Sequence, residues 1–221
     1  MAEAGEDPGG SVARAMTVLT TEHAALQTAR SATVFEANGR VQLYLGALSS
    51  GVVALAFVGQ AAGLEGAFFT FGLATLLPVL AVGVVTFARV QQSAVEDLGY
   101  SRRIERIRRF YVEHAPLAAG SLARPADGGL SEAVGALGGR PGRWQVALTT
   151  AGMVGVVNAA VAGVAAAMVL GLLGAGFAPS GLAAAAVALL AVVAHYRYQE
   201  RVWAAAERAA QADVGNRGSG S

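Results

Sequence analysis

The stretch "WQVALTTAGMVGVVNAAVAGVAAAMVLGLLG", residues 144–174, contains no acidic residue and no arginine. A helix of about 20 apolar residues crosses the hydrocarbon core of a bilayer, and this stretch is longer than that. Three further runs share its composition, at residues 41–59, 67–88 and 181–196. The sequence therefore predicts an all-α membrane protein with four transmembrane helices, arranged as two hairpins with cytoplasmic amphipathic helical extensions.

Whole-chain composition agrees with this prediction. Only 14% of the 221 residues are charged, whereas soluble domains carry about 25%. The mean hydropathy is +0.50. The alternative is a very apolar soluble helical protein. The chain has no cysteine, so a disulfide or a thiolate metal site is excluded.

The positions of the arginines predict the orientation in the membrane. All sixteen basic residues are arginine, and none lies in the short connections at residues 60–66 and 174–180. Arginine-rich flanks stay in the cytoplasm, so both termini and the central linker are predicted inside. Arginine without lysine, with abundant alanine and glycine, is typical of a GC-rich bacterial genome. The predicted location is the bacterial inner (plasma) membrane.

These patterns divide the chain into five predicted segments. A cytoplasmic N-terminal helix is followed by two transmembrane hairpins separated by a cytoplasmic helix and linker, and a C-terminal extension with a disordered tail ends the chain. The segments are residues 1–40, 41–90, 91–143, 144–198 and 199–221.

The two predicted hairpins share a short internal similarity. The first span begins "GRVQ" from Gly39, and the third begins "GRWQ" from Gly142. The second span ends "FARVQQ" and the fourth ends "HYRYQE", so each places an arginine two residues before a glutamine. Either the halves are a true repeat, or two spans that start at a positive-inside boundary simply look alike.

Small residues recur at every fourth position of the third span. In lipid, this spacing lets two helix backbones approach closely. It predicts a packed helix interface, either within the chain or between subunits of a homo-oligomer, and Val161 is predicted to lie off that interface. The six residues are Ala151, Gly155, Ala159, Gly163, Ala167 and Gly171.

The stretch "GYSRRIERIRRFYVEHA", residues 99–115, predicts an amphipathic cytoplasmic helix. Arg102, Arg106 and Arg109 share one face, and Ile104 and Ile107 share another. The arginine face is predicted to contact the anionic headgroups of the lipid bilayer. Acidic side chains of a neighbouring helix or a specific anionic ligand are the alternatives. A nucleic-acid interface is not expected, since no recognisable nucleic-acid fold accompanies the basic face.

The four spans carry little that could support chemistry. Asn158 is the most polar residue at depth, and it predicts either an interhelical hydrogen bond or a contact with a pore or substrate. His195 is placed at the inner membrane edge. No nucleophile elbow, paired carboxylates, phosphate loop or metal-ligand spacing is present. No enzyme, cofactor or metal site is therefore predicted.

The sequences "RSATVFEANGRVQLYLGALSSGVVALAF" and "RVQQSAVEDLGYSRRIERIRRFYVEHA", within residues 30–115, carry a resemblance to known proteins. The chain resembles bacterial integral membrane proteins of unassigned function. In layout it is similar to two-span membrane effectors of bacterial nucleotide-signalling defence systems, which disrupt membranes. Those effectors carry an acidic-x-Lys-Ala element before the first span. This chain has "EANGR" there, with Glu36 and Arg40, so no functional residue is carried over.

The predicted function is an oligomeric channel or pore-like integral membrane protein. The alternative is a non-transporting membrane scaffold or regulatory subunit. Polar residues aligned on one face and pointing at an oligomer axis would favour the channel. A sealed apolar axis would favour the scaffold.

Overall fold

A computed structural model of the chain describes residues 8–63, 65–115 and 149–218, and these residues form α-helices and no β-strand. Each helix is long and apolar enough to cross a membrane, which confirms the prediction of four such helices. The linker after residue 115 and the Gly142 end of the proposed repeat lie outside the described residues. The helices are α1 (Pro8–Ala62), α2 (Gly66–His114), α3 (Thr150–Leu172) and α4 (Phe177–Gly218).

Helices α1, α2 and α4 run past the predicted membrane boundaries without a break. Helix α1, of 55 residues, runs from the predicted segment 1–40 into the first part of the segment 41–90. Helix α4 continues from the apolar run through "RVWAAAERAAQA". Helical hydrogen bonds join residues four apart, so a change from apolar to polar side chains does not interrupt them.

Glycine ends two of the apolar helices. Gly63 follows α1 with a φ of +67°, and Gly174 follows α3 with a φ of +80°. These left-handed conformations suit glycine, which has no Cβ atom to clash. At its other end, α3 is capped by Thr149, whose side chain accepts a hydrogen bond from the Gly152 backbone N–H.

The described residues divide into two compact units. One is formed by residues 8–35 and 96–115, and is called the arginine-face unit below because it carries Arg102, Arg106 and Arg109. The other is formed by residues 36–95 and 149–218, and contains most of the four apolar runs. It is called the apolar unit.

The arginine-face unit has a small core made by α1 and α2. Leu26, Ile104 and Ile107 are buried together, with Leu19, Tyr100 and Tyr111 packed against them. Arg30 forms a bidentate hydrogen-bonded ion pair with Asp97, with its Nε atom 2.6 Å from a carboxylate oxygen. The pair is partly exposed, so it contributes at most about 1 kcal/mol to the stability of the folded state. The apolar core therefore holds the two segments together.

In the apolar unit, α3 lies between α2 and α4. Along α3, contacts with α4 proceed from Thr149–Gln199 to Asn158–His195 and on to Gly163–Ala184. Contacts with α2 proceed from Gly155–Phe87 to Gly171–Phe69. Helices α2 and α4 therefore run in the same direction, opposite to α3.

The interior of the apolar unit is wholly apolar at one end and contains buried polar side chains at the other. The end that contains Leu55, Leu76, Val161 and Met168 has a wholly apolar buried cluster. The end that contains Tyr44 and Phe87 also buries polar side chains, among them Gln91, Asn158 and Gln199.

Candidate functional site

The small-residue stripe of α3 lies against other helices of the apolar unit. Ala151, Gly155, Ala159 and Gly163 are buried, and Ala167 and Gly171 are partly buried. A first side-chain carbon at Gly163 would lie 2.6 Å from the carbonyl oxygen of Ala184 on α4. One at Gly171 would lie 2.7 Å from the Phe69 ring on α2. The close contacts at these glycines are thus made within one chain.

The expectation for Val161 was wrong. Val161 is 6% exposed and belongs to the apolar cluster with Leu55, Leu76 and Met168. Because α3 contacts both α2 and α4, it buries a wider arc than one small-residue stripe. The exposed face of α3 instead carries Met153, Val156, Ala160 and Val164.

Asn158 and His195, which the sequence treated separately, meet in the apolar unit. Asn158 is completely buried, and its Nδ2 atom lies 3.4 Å from His195 Nε2. His195 Nδ1 lies 2.7 Å from the Ala191 carbonyl oxygen. A carbonyl only accepts, so Nδ1 carries the proton and Nε2 accepts from Asn158. Asn158 thus makes a hydrogen bond between α3 and α4.

Tyr44 joins this polar group from α1, and sequence reasoning missed it. Tyr44 is 1% exposed. A side chain at Gly83 on α2 would meet both the Tyr44 ring, at 2.7 Å from Cε2, and the Oδ1 atom of Asn158. Glycine at position 83 thus lets the two side chains approach the same point. Tyr44 Oη and Asn158 Oδ1 are buried without a hydrogen-bond partner among the described residues.

The two glutamines noted in the proposed repeat are also buried. Gln91 and Gln199 are 1% and 3% exposed, whereas the arginine two residues before each, Arg89 or Arg197, is exposed. Gln199 Nε2 donates to Thr149 Oγ1 at 3.3 Å. Both amide atoms of Gln91 are buried with no partner among the described residues. Arginine-x-glutamine was the sequence signal for these residues, and it marks one exposed and one buried position on each helix.

A second candidate site is an outward face of α1. Six exposed residues follow the alternating spacing of four and three that keeps one helix face in line. Three are polar, two are small and one is valine. The residues of this α1 polar stripe are Gln42, Gly46, Ser49, Val53, Ala56 and Gln60.

The other outward faces of the apolar unit differ from the α1 polar stripe. Within residues 67–88, 150–172 and 181–196 the large exposed side chains are apolar, as suits a surface in contact with lipid. They include Leu77 and Val85 of α2, Val156 of α3, and Leu182 and Leu189 of α4. Amide side chains such as Gln42 and Gln60 need water or a polar partner, because an unpaired amide in hydrocarbon is costly.

The arginine face has the exposure that its spacing predicts. Arg102, Arg106 and Arg109 are exposed on α2, while Ile104 and Ile107 are buried against Leu26. None of the three arginines forms an ion pair within the described ranges 8–63, 65–115 and 149–218. Their guanidinium groups are therefore available to an anionic surface.

The "EANGR" element forms a local ion pair. Arg40 Nη2 lies 2.7 Å from Glu36 Oε1, one helical turn away. The hydrogen bond from Arg40 lowers the pKa of Glu36 below its ordinary value, and the positive charge of Arg40 acts in the same direction. Both side chains are exposed, so this is a solvated surface pair rather than a buried site.

No family model, curated protein or solved structure matches this chain. The resemblance to membrane effectors therefore stays a prediction. The four apolar helices themselves indicate a multi-pass membrane protein.

Proposed function

We propose that this protein is an oligomeric channel in which the α1 polar stripes of several copies surround a water-filled path. The observation that carries the proposal is the stripe itself, with Gln42, Ser49 and Gln60 on one outward face of α1, where most other exposed residues of the span are apolar. In a bilayer these side chains are satisfied when they face water at a symmetry axis. The buried polar residues Asn158 and Gln91 lie within each copy and are not part of this lining.

The membrane arrangement belongs to the same proposal. Residues 41–90 and 144–198 each form a hairpin across the bacterial inner membrane, with both termini and the central linker in the cytoplasm. The connections between α1 and α2 and between α3 and α4 contain no arginine, which supports this orientation. An impermeant thiol reagent applied outside the cell should reach a cysteine at Glu65 and not one at Glu113.

A specific observation favours the alternative of a non-transporting scaffold. Around Gly46, a first side-chain carbon would meet nothing within 4 Å, so packing within the chain does not require a glycine there. Small residues on the same stripe would allow a close, dry contact between copies. In that case Gln42 and Gln60 would bond to their counterparts instead of lining water.

A single cysteine at Ser49 distinguishes the two functions, because the native chain has no cysteine. In liposomes, Ser49→Cys should conduct ions, and a charged thiol reagent should abolish most of the flux because it blocks the path. Ala47→Cys is the matched control, since Ala47 is exposed on α1 outside the stripe and should keep its flux. Native protein that conducts nothing, together with disulfide-linked Ser49→Cys copies, would support the scaffold.

We further propose that the arginine face binds anionic lipid headgroups. Each arginine near such a surface contributes roughly 1 kcal/mol. Added phosphatidylglycerol should raise the melting temperature of the full-length protein in neutral detergent. Replacing Arg102, Arg106 and Arg109 by glutamine should remove most of that rise, because lipid binding stabilises the folded state.

The control for this lipid experiment carries the same change in net charge. Arg14, Arg201 and Arg208 are also exposed, and replacing these three by glutamine should leave most of the lipid-dependent rise intact. An equal loss in both variants would mean that the lipid responds to net charge and not to the arginine face.

A further inference from the structure

Polar side chains of the apolar unit, most of them buried, follow one another from its surface towards its centre. Thr149 is exposed at the start of α3 and accepts from buried Gln199. His195 lies one helical turn before Gln199 on α4 and bonds to Asn158. Asn158 and Tyr44 then meet at Gly83. We call this series the polar inlet.

Gln91 lies beside the polar inlet. The Phe87 and His195 rings are 4.6 Å apart, and Gln91 and Gln199 each follow one helical turn later. Because α2 and α4 run in the same direction, these two glutamines lie at the same level. Gln91 lies on the same face of α2 as Phe87, so it faces α4 at the level of the inlet between Thr149 and Asn158.

Several atoms of this region need a partner that the described residues do not supply. Tyr44 Oη, Asn158 Oδ1 and both amide atoms of Gln91 are buried and unpaired. The side chains that carry them are at most 1% exposed. Buried polar atoms in native proteins are nearly always paired, either with protein or with ordered water.

The chemistry of these atoms identifies the ligand. Asn158 Oδ1 and Gln91 Oε1 accept hydrogen bonds, while Gln91 Nε2 donates and Tyr44 Oη does both. A cation would be coordinated by lone pairs alone and would leave the amide N–H groups unpaired. Water both donates and accepts, and buried waters typically make about three hydrogen bonds.

We propose that the polar inlet binds water molecules, which enter at the Thr149 end and stop at Tyr44 and Asn158. Beyond this level the interior is the apolar cluster with Leu76 and Met168, which offers water no partner. The inlet lies inside one copy of the chain, so it does not depend on the proposed channel between copies.

X-ray radiolysis of the full-length protein in detergent tests the proposal, because it converts bound water to hydroxyl radicals that label adjacent side chains. Tyr44 and Met168 are both buried, and both react readily with hydroxyl radicals. Tyr44 therefore reports on the polar end of the interior of the apolar unit, and Met168 reports on its apolar end. Mass spectrometry should find Tyr44 labelled several-fold more than Met168. Met168 is the more exposed of the two, at 7% against 1%, so penetration by bulk water would favour it instead.

Variants test the route of entry. Gln91→Met removes two polar atoms beside the inlet and should reduce labelling of Tyr44. Leu76→Met introduces the same residue into the apolar cluster and should leave labelling of Tyr44 unchanged.

Three results would overturn the proposal. Absence of label at Tyr44 in the native chain would mean that the inlet is dry. Equal labelling of Tyr44 and Met168 would mean that water fills the whole interior. Unchanged labelling of Tyr44 in folded Gln91→Met would place the entry elsewhere. The comparison within the native chain needs no variant, so it stands even if Gln91→Met does not fold.

Discussion

Gly163→Leu should destabilise the protein by at least about 3 kcal/mol, which is the upper range of overpacking in a filled interior. The first carbon of the new side chain would lie 2.6 Å from the backbone oxygen of Ala184 and 3.1 Å from Ala188 Cβ. A flexible side chain could move aside, but a helix backbone cannot do so without separating α3 from α4. The melting temperature in detergent should fall sharply, and much of the protein should aggregate.

Ala160→Leu is the matched control for this change. It introduces the same side chain three residues earlier, on the exposed face of α3. Its melting temperature should stay close to that of the native protein. If the two variants had the same melting temperature, Gly163 would not be in close contact with α4. Val161 cannot serve as the control, because it is buried in the apolar cluster.

Phe87→Ala should cost about 3 kcal/mol or more, the usual range when a buried phenylalanine is truncated. Phe87 is 4% exposed, and its ring makes an edge contact with His195 at 4.6 Å and a tilted contact with Tyr198 at 5.8 Å. In lipid the loss is mainly one of packing contacts, since lipid tails solvate an apolar side chain as well as the protein does. Unfolding in increasing denaturing detergent should occur at a clearly lower concentration.

The control for Phe87→Ala is Phe57→Ala. Phe57 is 67% exposed on α1, so its truncation leaves no cavity inside the protein. The change should alter stability by no more than about 0.5 kcal/mol, as for other surface substitutions. Comparable losses at both positions would show that stability follows the number of aromatic rings and not the contacts of Phe87.

The sequence was sufficient to predict the elements that depend on local pattern. Runs without charge predicted four apolar helices, and the structure contains them. The spacing of Arg102, Arg106 and Arg109 against Ile104 and Ile107 predicted two different helix faces, and in the structure the arginines are exposed and the isoleucines are buried. The physical reason is that the 3.6-residue period of a helix fixes which residues share a face, whatever the helix contacts.

Tertiary structure decided which helix each face meets, and therefore the sites. The sequence placed Asn158 at depth and His195 at a membrane edge without relating them, and only the packing of α3 against α4 brings them together. Tyr44 gave no signal in the sequence, because its burial depends on the glycine at position 83 of another helix. Val161 was assigned to the wrong face because α3 has two neighbours, which its own periodicity does not reveal. The period of a helix determines in which direction each side chain points from the helix axis. Whether that side chain is buried depends on where the neighbouring helices lie.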